Sequence, residues 1–179
     1  MTEVVSGSAY SVFLDPYFRQ MVNFDKQIKV EQDRIFNELV VTGLLLLFST
    51  IKDNLSKIQL SRQAFWQRVL DLSSKSYVEW LGELGIEKEY LDTWEKLIDL
   101  RLDEYKERQS LTRGVWAEEL FDSREEEQLN DAMVRVETLT VSSMLHITRC
   151  KAKRDDPLRR HLRIWLSVLN NKLESRIGW

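Results

Sequence analysis

The chain is 179 residues long, with 26 Lys/Arg against 29 Asp/Glu, a formal net charge of −3, 43% hydrophobic residues and one cysteine. That length suits one sizeable core rather than several domains, the apolar and aromatic content excludes an intrinsically disordered chain, and a lone cysteine excludes an internal disulfide framework. Charge is unevenly placed, since residues 147–179 hold nine Lys/Arg against three Asp/Glu while the preceding part holds 17 against 26.

Only six Gly and two Pro are available for turns. The periodic stretches between them read as helices, so the expected fold is an all-α, single-domain bundle of five to six helices ending in an antiparallel helical hairpin. Residues 1–27 read as an N-terminal capping arm and 28–179 as the bundle domain. The first eight residues lack a basic start followed by an apolar core and a small-residue cleavage site, so a cytoplasmic protein is expected. Asp15-Pro16 is a helix start, because proline at the first helical position gives up an N–H that has no partner there.

A long helix is expected from about Ile28 to Leu55. Its segment Leu39–Phe48 is apolar except for Thr42 and Gly43, but a bilayer span needs about 20 such residues. Asn37 and Glu38 fall inside the extended run. A central, buried helix is therefore expected and a membrane span is not. Ser61 reads as the N-cap of a second helix, whose inner face collects Phe65, Trp66, Val69, Leu72, Ser73, Ser76, Tyr77, Trp80 and Leu84 at helical spacing.

A third helix, about Glu87 to Arg108, places Tyr90, Leu91, Trp94, Leu97, Ile98, Leu102 and Tyr105 on one face. Arg101 sits within that stripe and requires an ion-pair partner, a bound anion or an escape to water. Ser110 to Asp122 reads as a linker or short helix. The sequence Ser123-Arg124-Glu125-Glu126 reads as a capping box opening a fourth helix that runs to about Lys153. That helix is apolar on two sides: Leu129, Met133, Val136, Leu139, Thr140, Ser143, Ile147 and Cys150 on one, Val134, Val141 and Leu145 on the other. Such a helix is either sandwiched within one copy or exposed to a second copy of the chain, and a homodimer contact on Val134, Val141 and Leu145 is expected.

Asp156-Pro157 starts the last helix, with Leu158, Leu162, Trp165, Leu169 and Leu173 facing inward. Its basic residues Arg159, Arg160 and Arg163, with Arg149, Lys151, Lys153 and Arg154 of the preceding segment, form the strongest charge cluster in the chain. Cations near a helix C-terminus complement the dipole, whereas Arg159 and Arg160 near a helix N-terminus oppose it and so call for another explanation.

Candidate chemistry is sparse. His146 and Cys150 lie four residues apart on one helix, and His161 would join them in a three-ligand site if the hairpin register allowed. Neither His has the Glu-x-x-His spacing of a di-iron bundle, and phosphate-binding glycine motifs are absent. No metal or cofactor is expected, and no catalytic residue is assigned. The expected function is a non-enzymatic adaptor or regulatory protein, self-associating, that docks an acidic protein through the basic hairpin. The alternatives are a nucleic-acid accessory protein contacting phosphates with the same residues, and a small-ligand or metal-binding helical sensor or enzyme.

Overall fold

Two Asp-Pro pairs start helices as expected. In the computed structural model, which describes residues 1–120, 131–149 and 155–178, Asp15 is extended (φ −63°, ψ 119°) and its Oδ1 accepts from the Tyr17 N–H at 2.7 Å. Asp156 does the same for Leu158 at 2.9 Å. Each proline forces its predecessor out of helical geometry, and the aspartate then caps the turn that follows.

Seven α-helices and no strand are found among the described residues: α1 (Thr2–Leu14), α2 (Pro16–Met21), α3 (Lys29–Asn54), α4 (Leu60–Glu83), α5 (Lys88–Leu120), α6 (Asp131–Thr148) and α7 (Pro157–Ile177). The fold is an all-α helical bundle. Helix α3 is its axis and packs against α1, α4, α5, α6 and α7. Every residue from Leu39 to Ile51 is buried, which is what a helix apolar all round requires. By length and composition α3 is also apolar enough to cross a membrane, and 83% of that apolar window is covered by the protein itself.

Helix α1 crosses α3 at Gly43, where a Cβ would stand 2.7 Å from the Val5 side chain. Residues 1–27 thus form helices that enter the core, with Val5, Ala9, Val12 and Phe18 in the same buried cluster as α3 and α7. Trp165 of α7 donates its indole N–H to Ser8 of α1 at 2.9 Å. Helices α4 and α5 are joined by a left-handed Gly85 (φ 90°), and the Ile86 N–H reaches back to the Leu81 carbonyl at 3.1 Å. That 6→1 bond is a Schellman turn, which needs a residue free of the Cβ clash at positive φ.

Several boundaries and faces differ from expectation. Ser61 is not the N-cap of α4: the cap position is Gln59, without a side-chain bond. Ser110 to Leu120 continue α5 instead of forming a linker. Helix α6 ends at Thr148, where Arg149 is left-handed (φ 57°), earlier than expected. The capping box Ser123–Glu126, with Leu129 and Cys150, lies outside the described residues. On α4 the buried positions are Trp66, Ser73, Tyr77 and Leu81, while Phe65, Leu72 and Leu84 are exposed. Tyr90 on α5 and Met133 on α6 are exposed too. Helix α5 packs against α3, α4 and α6, whereas α4 has only α3 and α5 beside it among the long helices, so the apolar face of α4 is the less covered of the two.

Candidate functional site

Helix α6 carries Arg135 and Glu137, two residues apart and therefore about 200° apart around the helix. Both are buried, and each is resolved by a different set of partners. Arg135 is 0% exposed. Its Nη1 donates to Asp53 Oδ2 at 2.7 Å, its Nε and Nη2 to Asn170 Oδ1 at 3.2 and 2.9 Å, and Nη2 also to Glu174 Oε1 at 3.1 Å. One guanidinium thus ties α3, α6 and α7 together and faces two carboxylates.

Glu137 has the opposite imbalance. Its Oε1 accepts from both Nε (3.1 Å) and Nη2 of Arg159, and its Oε2 lies 2.7 Å from Nη2 of Arg163. Two guanidinium groups share one carboxylate. Pairing 137 with 159 and 163, and 135 with 170 and 174, runs in opposite senses along the two helices, so α6 and α7 are antiparallel. Arg159 is 14% exposed and committed to this pair, whereas Arg163 is 49% exposed. Arg163 borders a groove of about 330 Å³ between α6 and α7, lined also by Met133, Val136, Ser167 and Asn171. Arg160 is exposed on the same helix.

A third charged group joins α3, α5 and α6. Arg101 forks onto Glu38 of α3, with Nη2 2.6 Å from Oε1 and Nε 3.1 Å from Oε2, and its Nη1 reaches Glu104 at 3.0 Å. The bidentate geometry answers the question Arg101 posed on its apolar stripe. Burial works against its charge, but Glu38 and Glu104 outweigh that and push its pKa up. His146 Nε2 stands 2.9 Å from Glu104. Burial, and then the Arg101 charge, hold the imidazole below its ordinary pKa despite the two carboxylates.

The remaining predicted residues separate. Arg149 pairs with Glu31 at 2.7 Å, at the end of α6 where Arg34 donates to the His146 and Ile147 carbonyls. The hydrogen bond from Arg34, with the Arg34 and Arg149 charges, lowers the Glu31 pKa against the effect of burial. Lys151, Lys153 and Arg154 lie outside the described residues. His161 is held at the start of α2, 3.5 Å from Oδ2 of Asp15, the residue that caps that helix, and beside the Tyr17 and Phe18 rings, whereas His146 meets Glu104 of α5. Among the described residues no three His, Cys, Asp or Glu side chains are placed to hold a metal. Val134 is fully buried and Val141 and Leu145 are half-buried, because α6 is flanked by α3, α5 and α7 of its own chain. Val134 is thus sandwiched within one copy, whereas Val141 and Leu145 keep part of their surface.

Sequence reasoning missed Arg135, Glu137 and Glu38 as network residues. The available signal was a charged residue flanked by apolar positions on a helix apolar on two sides or all round, which forces burial and a partner. No protein-family model and no curated protein matches the chain, and no solved structure matches it.

Proposed function

We propose that this is a non-enzymatic helical adaptor that docks an acidic protein segment on the α6/α7 face. The observation that carries the reading is the pairing of two guanidinium groups with the single Glu137 carboxylate, which leaves positive charge at the groove that Arg163 borders. Exposed Arg160 adds to it, and Met133 and Val136 give the groove an apolar wall for the partner's side chains. A charged rim around an apolar contact favours rate and orientation of docking more than raw affinity. A cytoplasmic setting belongs to the same reading and is supported by the lone cysteine.

Fluorescence anisotropy with a labelled glutamate-rich peptide and with a DNA duplex tests it. The peptide is expected to bind, Arg160→Glu is expected to weaken it several-fold, and the Arg160→Glu/Arg163→Glu pair to abolish it. Binding of DNA but not of peptide, falling steeply between about 50 and about 200 mM salt, would move the assignment to phosphate contacts. Peptide binding that ignores both substitutions would remove the groove from the function.

A further inference from the structure

Three helices meet imperfectly at a second place, away from the α6/α7 groove. Between α3, α4 and α5 lies a cleft of about 240 Å³. Protein interiors are otherwise close-packed, and an apolar cavity of roughly 150 Å³ already accommodates benzene. Helix α4 contributes only Leu70, Asp71 and the small Ser74 to its lining.

Its apolar wall is formed by Phe48 from α3, Leu70 from α4, and Ile98 and Leu102 from α5, and polar side chains line the rest. Two of the polar groups bear on what the cleft can hold. The first is the Tyr105 hydroxyl. Tyr105 is 3% exposed, and its oxygen is buried without a hydrogen bond of good geometry. The neighbouring Ser49 hydroxyl gives its proton to the Leu45 carbonyl at 2.6 Å. Burial pushes the phenol up to about 12, so it is neutral and carries a proton to donate. A buried, poorly partnered hydroxyl costs free energy that a ligand acceptor or dipole at that point would recover.

The second is Asp53. Its Oδ2 is held by Arg135, and its Oδ1 has no donor among the described residues. The carboxylate is 21% exposed and lines the cleft. Arg135 is shared between Asp53 and Glu174, so this network holds one negative charge more than it can neutralise. At the mouth, Asp71 and Asp99 face Lys52 and Lys106, but Lys106 is already paired with Asp103 at 2.8 Å. The balance around the opening is therefore also negative.

From this arrangement we infer that the α3/α4/α5 cleft binds a small apolar amine: an aryl or alkyl body seated against Phe48, Ile98 and Leu102, with a protonated nitrogen on Asp53. Fixing Asp53 through Arg135 gives the acceptor a set position without neutralising the whole network, which is what selective binding of a cation in an apolar pocket needs. The site is independent of the α6/α7 face and does not rest on the adaptor reading.

The test uses the full chain and three probes of nearly equal size: 2-phenylethylamine, 2-phenylethanol and phenylacetate, titrated at neutral pH by calorimetry and ligand-observed NMR. The amine is expected to bind at least tenfold more tightly than the alcohol, and phenylacetate most weakly. Leu102→Trp fills the cleft without touching Asp53 and is expected to abolish binding with the helical circular dichroism intact. Ser74→Leu at the same cleft serves that purpose should the tryptophan variant not fold. Asp53→Asn is expected to bring the amine and the alcohol to equal affinity. In the wild-type protein, intermolecular NOEs from the probe ring to the Tyr105 ring locate the ligand without any substitution. Equal affinities for amine and alcohol, preference for the acid, amine binding that survives a filled cleft, or no binding at the solubility limit would each overturn the assignment.

Discussion

Arg135 Nη1 lies 2.7 Å from Asp53 Oδ2, joining a guanidinium that is 0% exposed to a carboxylate that reaches the α3/α4/α5 cleft. The same guanidinium anchors Asn170 and Glu174 on α7. One side chain therefore sets the distance between three helices and the position of a cleft-lining acid. Buried ion pairs are weak evidence of stability as pairs, but breaking one strands its partners. Arg135→Met is expected to cost about 3–5 kcal/mol, measured by urea denaturation. Arg135→Lys should recover little of this, because an ammonium cannot reproduce the fork that spans Asp53 and Asn170. A loss below about 1 kcal/mol for Arg135→Met would mean that the network contributes orientation without stability.

The crossing of α1 and α3 makes opposite predictions for two glycines. At Gly43 a Cβ would meet Val5 at 2.7 Å and approach Leu169 at 3.6 Å, with both neighbours fully buried. Gly43→Ala must push α1 off the axis helix, and overpacking of this kind costs about 1–3 kcal/mol. At Gly7, also helical, nothing stands within 4 Å of the same atom. Gly7→Ala is therefore expected to stabilise by about 0.5–1 kcal/mol through helix propensity alone. Thermal melts of the two variants should move in opposite directions, and a shared direction would contradict the close approach of α1 to α3.

Helix caps show which parts of the fold were legible in the sequence. Asp15 and Asp156 were readable because proline fixes its own φ and the preceding residue together, leaving one place for the cap. Ser61 misled because composition alone does not locate the entry of the chain: a short 3-10 turn at Leu55–Lys57 is followed by extended Ile58 and Gln59, which puts the cap two residues earlier. The inner face of α7 was readable from periodicity and the burial of α3 from its unbroken apolar run, since both helices lie against several neighbours. The inner face of α5 was readable too, Tyr90 apart, whereas on α4 Phe65, Leu72, Ser76 and Leu84 are exposed, because helical spacing marks an apolar stripe but not whether anything covers it. The charge cluster was visible as composition, yet its assignment to Glu137 and Glu31 depends on contacts between residues distant in sequence. Asp156→Ala should cost about 1 kcal/mol and Ser61→Ala less than about 0.5 kcal/mol. Equal losses in denaturant midpoints would reverse the placement of these caps.

His146 supplies a pH dependence whose sign follows from its surroundings. The groups around it are Arg101, Glu38 and Glu104, and burial together with Arg101 lowers its pKa from the ordinary 6.5. As pH falls through that ordinary value, the unfolded chain takes up the proton before the folded one does. Stability therefore declines from about pH 6.5 down to the lowered folded value, with a slope no steeper than about 1.4 kcal/mol per pH unit, the limit for one proton. His146→Gln removes this titration, so its stability should be flatter than wild type over that window. Comparing the two proteins cancels whatever pH dependence they share. Urea midpoints between about pH 7 and about pH 5.5 measure the difference. Parallel curves would show that His146 titrates alike in both states, and a wild-type curve that rises on acidification would mean that Glu104 outweighs burial and the Arg101 charge.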